Sequence, residues 1–121
     1  MTYEQFNDFC SQLLATTYVM QWGGAHVWKV GGKVFAIGGW GQDGMPGFTF
    51  KASDLNFHFL WDQPGYRPAP YLASRGMKWI QQTDTAGPQD EELVYYLKES
   101  FRIVSLGLTK KKQKELGLNQ N

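Results

Sequence analysis

His26-Val27-Trp28-Lys29-Val30-Gly31-Gly32-Lys33-Val34-Phe35-Ala36-Ile37 sets two β-rich runs around a pair of glycines. A tight hairpin needs positive φ at its turn, and glycine supplies it without a steric penalty. The pattern continues outward on both sides. Upstream, Thr16 to Trp22 is β-rich and is cut by Gly23-Gly24. Downstream, Gly38 to Gly47 forms a longer turn, and Phe48 to Ala52 resumes strict alternation. Phe48 and Phe50 point one way, Thr49 and Lys51 the other. These connections are too short to hold crossover helices, so the strands read as an antiparallel meander, not as βαβ units. Met77 to Gln82 suits a further strand, with Met77, Trp79 and Gln81 on one side and Lys78 and Ile80 on the other.

Helices flank these strands. Thr2 to Ala15 begins with a Thr2/Gln5 capping box, and Phe6, Phe9, Cys10, Leu13 and Leu14 repeat at helical spacing. Ser53 suits the N-cap of a second helix to about Trp61, with Asp54 in its first turn and Leu55, Phe59 and Leu60 facing inward. Asp84 to Gln89 reads as a loop. Asp90 then caps the longest helix, to about Leu106, whose core stripe is Leu93, Leu97, Phe101 and Val104. Gly107 suits the C′ position, and Thr109 caps a short basic helix, Lys110 to Leu116, that ends at Gly117. The expected architecture is α+β: a single antiparallel sheet with helices packed on it, one domain over residues 1–117 and a frayed tail from Leu118 to Asn121.

Composition bounds the function. The chain has 121 residues, a formal charge of +1 and an aromatic share of 16%. Near-neutrality excludes a strong general attraction to nucleic acid or anionic membrane, so any such attraction has to be local. One cysteine, Cys10, cannot form an internal disulfide, which favours a reducing compartment. No apolar run is long enough to span a bilayer, and a basic-then-apolar leader is absent from the start of the sequence. These features predict a soluble cytoplasmic protein that needs no membrane, with a monomer favoured.

The local asymmetry lies between Gln63 and Thr83, where no acidic residue occurs. Arg67, Arg75 and Lys78 fall there, interleaved with Tyr66, Tyr71 and Trp79. Pro68-Ala69-Pro70 keeps the stretch out of helix interiors and central strands. Lys51 lies just upstream. These seven residues are the candidate binding set. Two readings follow. In one the cations contact DNA phosphates and the rings stack on exposed bases. In the other the Pro-rich loop and Trp79 form a pocket for a planar acidic or drug-like ligand, or for a partner protein.

Catalytic chemistry has little support. Gly39-Trp40-Gly41-Gln42-Asp43-Gly44 matches G-x-G-x-x-G, but a strand follows it where a dinucleotide site needs a helix. With one cysteine and two histidines, a soft-metal site is not expected, and no cofactor is implied. His26 and His58 read as hydrogen-bonded structural residues. Asp90-Glu91-Glu92 is explained by helix capping and the dipole. Lys110-Lys111-Lys112 reads as a solvated helix face.

The order of elements resembles the MmcQ/YjbR family over nearly the whole chain. The matching motifs are Phe48-Thr49-Phe50-Lys51-Ala52, then Pro64-Gly65-Tyr66-Arg67-Pro68-Ala69-Pro70-Tyr71-Leu72, then Lys78-Trp79-Ile80. Tyr95-Tyr96-Leu97 and Ser100-Phe101 match the family's last long helix. The resemblance implies a compact "double wing" α+β fold and carries a DNA-binding label. Many relatives have a short link where this chain has the glycine-rich Gly38 to Gly47.

Overall fold

A computed structural model describes residues 1–42, 44–83 and 89–120. The strands are β1 (Thr16–Gln21), β2 (Ala25–Val30), β3 (Lys33–Gly38), β4 (Phe48–Lys51), β5 (Tyr66–Pro68) and β6 (Trp79–Gln82). The helices are α1 (Tyr3–Ser11), α2 (Asp54–Leu60), α3 (Gln89–Leu106) and α4 (Lys110–Leu116). All six strands form one antiparallel sheet in the order β1-β2-β3-β4-β6-β5. The expected meander runs from β1 to β4. The chain then leaves through α2, returns at the outer edge as β5, and inserts β6 between β5 and β4.

The Pro-rich stretch is thus more regular than expected. Tyr66 to Pro68 pairs with β6, followed by a 3₁₀ turn at Ala73–Arg75. Pro68 has no N–H to give a ladder, and an edge strand is where that costs least. Of the loop expected at 84–89, residues 84–88 lie outside the described residues, as does Asp43; Gln89 already belongs to α3, which begins one residue before the expected cap.

The hairpin at Gly31-Gly32 forms as read, with φ of 57° and 87°. Its ladder carries a bulge the alternation did not reveal. Trp28 pairs with Ala36 but Lys29 pairs with Val34, so Phe35 is an extra residue. Both Phe35 and Ala36 enter the core. A bulge strips ladder partners from its extra residue. Ser100, fully buried on α3, compensates: its Oγ donates to the Phe35 carbonyl at 2.6 Å and accepts from the Lys51 N–H at 2.9 Å.

All four helices serve one face of the sheet. Phe6 and Cys10, Phe57 and Leu60, Leu93 and Leu97 meet Phe48, Phe50 and Ile80 in a single cluster, joined by Leu116 of α4. Burial pushes the Cys10 thiol well above its ordinary range, so this thiol is inert packing.

Three expectations about these helices need correction. α1 stops at Ser11, because Thr16 Oγ1 donates to the carbonyls of Cys10 (3.0 Å) and Leu13 (2.9 Å) while Ala15 turns at φ 61°. Leu14 is therefore exposed. In α2, Phe57 and Leu60 face inward at i, i+3, and Leu55 and Phe59 face solvent. Leu118 is no frayed tail: it is 2% exposed in the core, and Asn119 Nδ2 donates to Ser105 Oγ and Gln113 Oε1.

Candidate functional site

The other face of the sheet has a different covering. Side chains alternate across a strand, so Val27 and Ile37 point away from the helices. They form a small cluster with Ala25, against which Val19, Val34, Trp40 and Leu72 pack. No helix covers this cluster among the described residues; two loops and a hairpin turn do. Between them lies a groove of about 670 Å³. Its walls are the rings of Trp22, Trp40, Tyr71 and Trp79, its floor includes Val34 and Ile37, and Arg75 supplies its charge. Trp40 is the hub: its ring lies 5.7 Å from Trp22 and 5.6 Å, edge to face, from Tyr71.

Three of these four rings stand on unusual backbone. Trp22, Trp40 and Tyr71 have φ of 51°, 62° and 69°. Among the described residues only Ala15 and Asn119 share this property outside glycine. A left-handed conformation costs an L-residue roughly 1–2 kcal/mol, and bulky side chains adopt it rarely. The turns themselves explain the geometry but not the residue. Trp22 opens the β1–β2 turn and Tyr71 follows Pro70, positions that glycine or asparagine fill at low cost. Backbone strain of this kind concentrates at functional sites.

A buried polar network holds the hub. Gln81, fully buried on β6, donates from Nε2 to the carbonyls of Gly39 (3.2 Å) and Trp40 (3.1 Å) and to Thr49 Oγ1 (3.3 Å). Arg67 donates from Nε to Gln81 Oε1 at 2.7 Å and from its terminal nitrogen to the Trp40 carbonyl at 3.2 Å. The glycine-rich loop is thereby fastened to β5 and β6. Its glycines allow the close approach: a Cβ on Gly41 would strike the Met45 carbonyl, and one on Gly47 would lie 2.8 Å from Gln81 Nε2. The G-x-G-x-x-G match serves this loop, and β4 follows it.

The seven candidate residues separate into groups. Tyr71, Arg75 and Trp79 line the groove. Arg67 supports it from beneath through Trp40. Lys78 pairs with Asp54 at 2.9 Å, a partner from outside its own acid-free stretch. Lys51 and Lys78 line a smaller concavity of about 370 Å³, which shares Met77 and Trp79 with the groove. Tyr66 is buried on the helix side, where its hydroxyl donates to Glu92 at 2.9 Å and accepts from Gln82. Burial is the main cause that raises its pKa, and the Glu92 charge adds to it.

Reading by residue type and charge missed Trp22 and Trp40. The usable clue was a tryptophan set against glycines at two turns. His26 takes a hydrogen-bonding place, its Nδ1 2.7 Å from the Tyr18 hydroxyl. Among the described residues no group of three His, Cys, Asp or Glu side chains is placed to hold a metal, and no helix is long and apolar enough to cross a membrane.

A model of the family described as YjbR matches residues 11–103, most of the chain. The chain belongs to the YjbR family. A search of curated proteins returns no significant match. Among solved structures, the YjbR fold described above is similar to the crystal structure of Deinococcus radiodurans protein DR2400, a DUF419 domain. The TM-score is 0.81 at 23% identity, over 97% of this chain and 88% of that one. At that identity the likeness carries the fold. The family match spans both the glycine-rich loop and the Pro-rich stretch, so the groove lies within the YjbR domain itself.

Proposed function

We propose that this YjbR domain is a binding module whose site is the aromatic groove on the helix-free face. Its ligand is a small planar molecule bearing an acidic group. The carrying observation is that three groove rings sit on left-handed backbone that stability alone does not select. The volume falls within the roughly 300–1,000 Å³ typical of small-molecule sites. The flat rings of Trp22, Trp40, Tyr71 and Trp79 offer stacking surface to a planar guest. The Arg75 side chain has no hydrogen bond or ion pair among the described residues, so its guanidinium is available to a carboxylate. Rings and one cation bind and orient, and the reading is of binding, not catalysis. A cytoplasmic monomer belongs to the same proposal.

DNA binding is the second reading. It draws on exposed Tyr71 and Arg75 and on Lys51 and Lys78 nearby. It ranks lower because Arg67 is already engaged by Gln81 and the Trp40 carbonyl. Calorimetric titration with 1-naphthoate, 2-naphthol and a short DNA duplex separates the two. The groove reading expects naphthoate to bind, with Tyr71→Ala weakening both small probes and Arg75→Ala removing only the preference for the acid. Duplex binding that loses about 0.9 units of salt slope per deleted cation, with neither naphthalene bound, would establish DNA instead.

A further inference from the structure

The groove and the smaller concavity share two walls, Met77 and Trp79. Their chemistry differs. The groove is aromatic with Arg75; the concavity sets Lys51, Ser53, Asp54 and Lys78 around apolar walls from Ala52, Met77, Trp79 and Ile103. The β4–β6 ladder sets Lys51 directly opposite Trp79. Opposite residues in an antiparallel pair raise their side chains on the same face, about 4.5–5.5 Å apart at Cβ. Lys51 therefore stands beside Trp79, the buried ring of the groove. Its ammonium has no hydrogen bond or ion pair among the described residues.

Lys78, across the concavity, is held by Asp54 at 2.9 Å. Both partners are solvent-exposed, with the carboxylate at 80%, so this pair is weak and readily exchanged. The Lys78 hydrogen bond keeps the Asp54 carboxyl below its usual range. Two ammonium groups against one carboxylate leave the concavity with a net positive charge.

We infer that the concavity is a phosphate subsite of the groove. The ligand class is a planar ring joined through a short spacer to a phosphate, the layout of a nucleoside monophosphate. The ring occupies the groove against Trp40 and Tyr71. The spacer crosses Met77, and the phosphate accepts from Lys51 and from Lys78, which turns away from Asp54. This rests on the groove being a ligand site, and it adds what that reading lacks: a second anionic position and a spacing.

The test is a matched titration of the whole chain with adenosine 5′-monophosphate, adenosine and 1-naphthoate, followed by calorimetry. A single additional charge-assisted hydrogen bond predicts that the monophosphate binds at least about tenfold more tightly than adenosine. Lys51→Met should sharply lower that ratio, to what Lys78 alone supplies, and leave adenosine binding unchanged. Asp54→Asn should raise the ratio, because it releases Lys78; a merely structural Asp54 would not move it in that direction. Equal binding of monophosphate and adenosine, or a ratio untouched by Lys51→Met, overturns the phosphate subsite and leaves the groove intact. Failure of all three probes overturns both. Binding of a single-stranded deoxyadenosine hexamer without the monophosphate also overturns it, in favour of a nucleic-acid surface.

Discussion

The two faces of the sheet follow opposite rules. On the helix-covered face, large apolar side chains are fully buried on ordinary backbone: Phe48, Phe50, Ile80, Leu93 and Leu97 are all at 0% exposure. On the other face Trp79 is buried, but three further rings, Trp22, Trp40 and Tyr71, are incompletely buried and stand where backbone geometry disfavours them. Trp22 is 53% exposed and Tyr71 is 70% exposed, both at positive φ. Burial energetics account for the first arrangement. They do not account for the second, where roughly 1–2 kcal/mol of backbone strain per residue accompanies incomplete burial. The difference teaches where to look: the face that stability explains is the scaffold, and the face it leaves unexplained is the site.

The comparison can be broken from the helix-covered side first. Leu97→Ala should cost about 2–5 kcal/mol, as large-to-small changes in packed cores do. Chemical denaturation with an unchanged m-value and a lowered midpoint is the expected result. Next comes Ser100→Ala. It strands the Phe35 carbonyl and the Lys51 N–H in a buried setting, so a loss of about 1–3 kcal/mol is expected. A loss near zero would show that the β3 bulge is satisfied some other way.

Changes on the open face should behave differently. In Trp22→Asn the new residue tolerates the left-handed turn, which recovers about 1 kcal/mol or more of strain. The Trp22–Trp40 ring pair, worth roughly 0.5–1.5 kcal/mol, is lost in exchange. Net stability should therefore stay within about 1 kcal/mol of the parent while binding of a planar probe falls. Stability that collapses with Trp22 would make it a core residue and erase the distinction between the faces.

The smallest effect is a pH effect. The Asp54 carboxyl is held low by the Lys78 hydrogen bond and charge. A depressed carboxyl contributes stability above its unfolded pKa, about 3.9, and loses it as pH falls through the folded value. Wild type should thus slightly exceed Asp54→Asn at neutral pH, and the two melting curves should converge in acid. A gap that widens as the pH falls into the acid range would contradict the assignment.

The sheet was legible because alternation and paired glycines are local signals. The order of β5 and β6 was not, since a three-residue edge strand ending in Pro68 carries no alternation to detect. The face of α2 was misread for a similar reason: Leu55 and Phe59 are as apolar as Phe57 and Leu60, and seven residues give periodicity too little length. At the site, charge counting found Arg67 and Lys78 but could not see Gln81 or Asp54, which reach them from across the fold. Tyr71, Arg75 and Trp79 were found because they share the Pro-rich stretch. Trp22 and Trp40 were missed because φ is a property of the folded turn.

The five tryptophans provide the most direct test of the central claim. Trp22, Trp40 and Trp79 line the groove, while Trp28 is in the helix-side core and Trp61 caps α2. The measurement is a titration of indole N–H resonances with 1-naphthoate. The groove predicts that the Trp22, Trp40 and Trp79 signals move together along one saturating curve, with Trp28 and Trp61 still. Saturable shifts centred on Trp28 or Trp61, or no saturable shift at all, would contradict it.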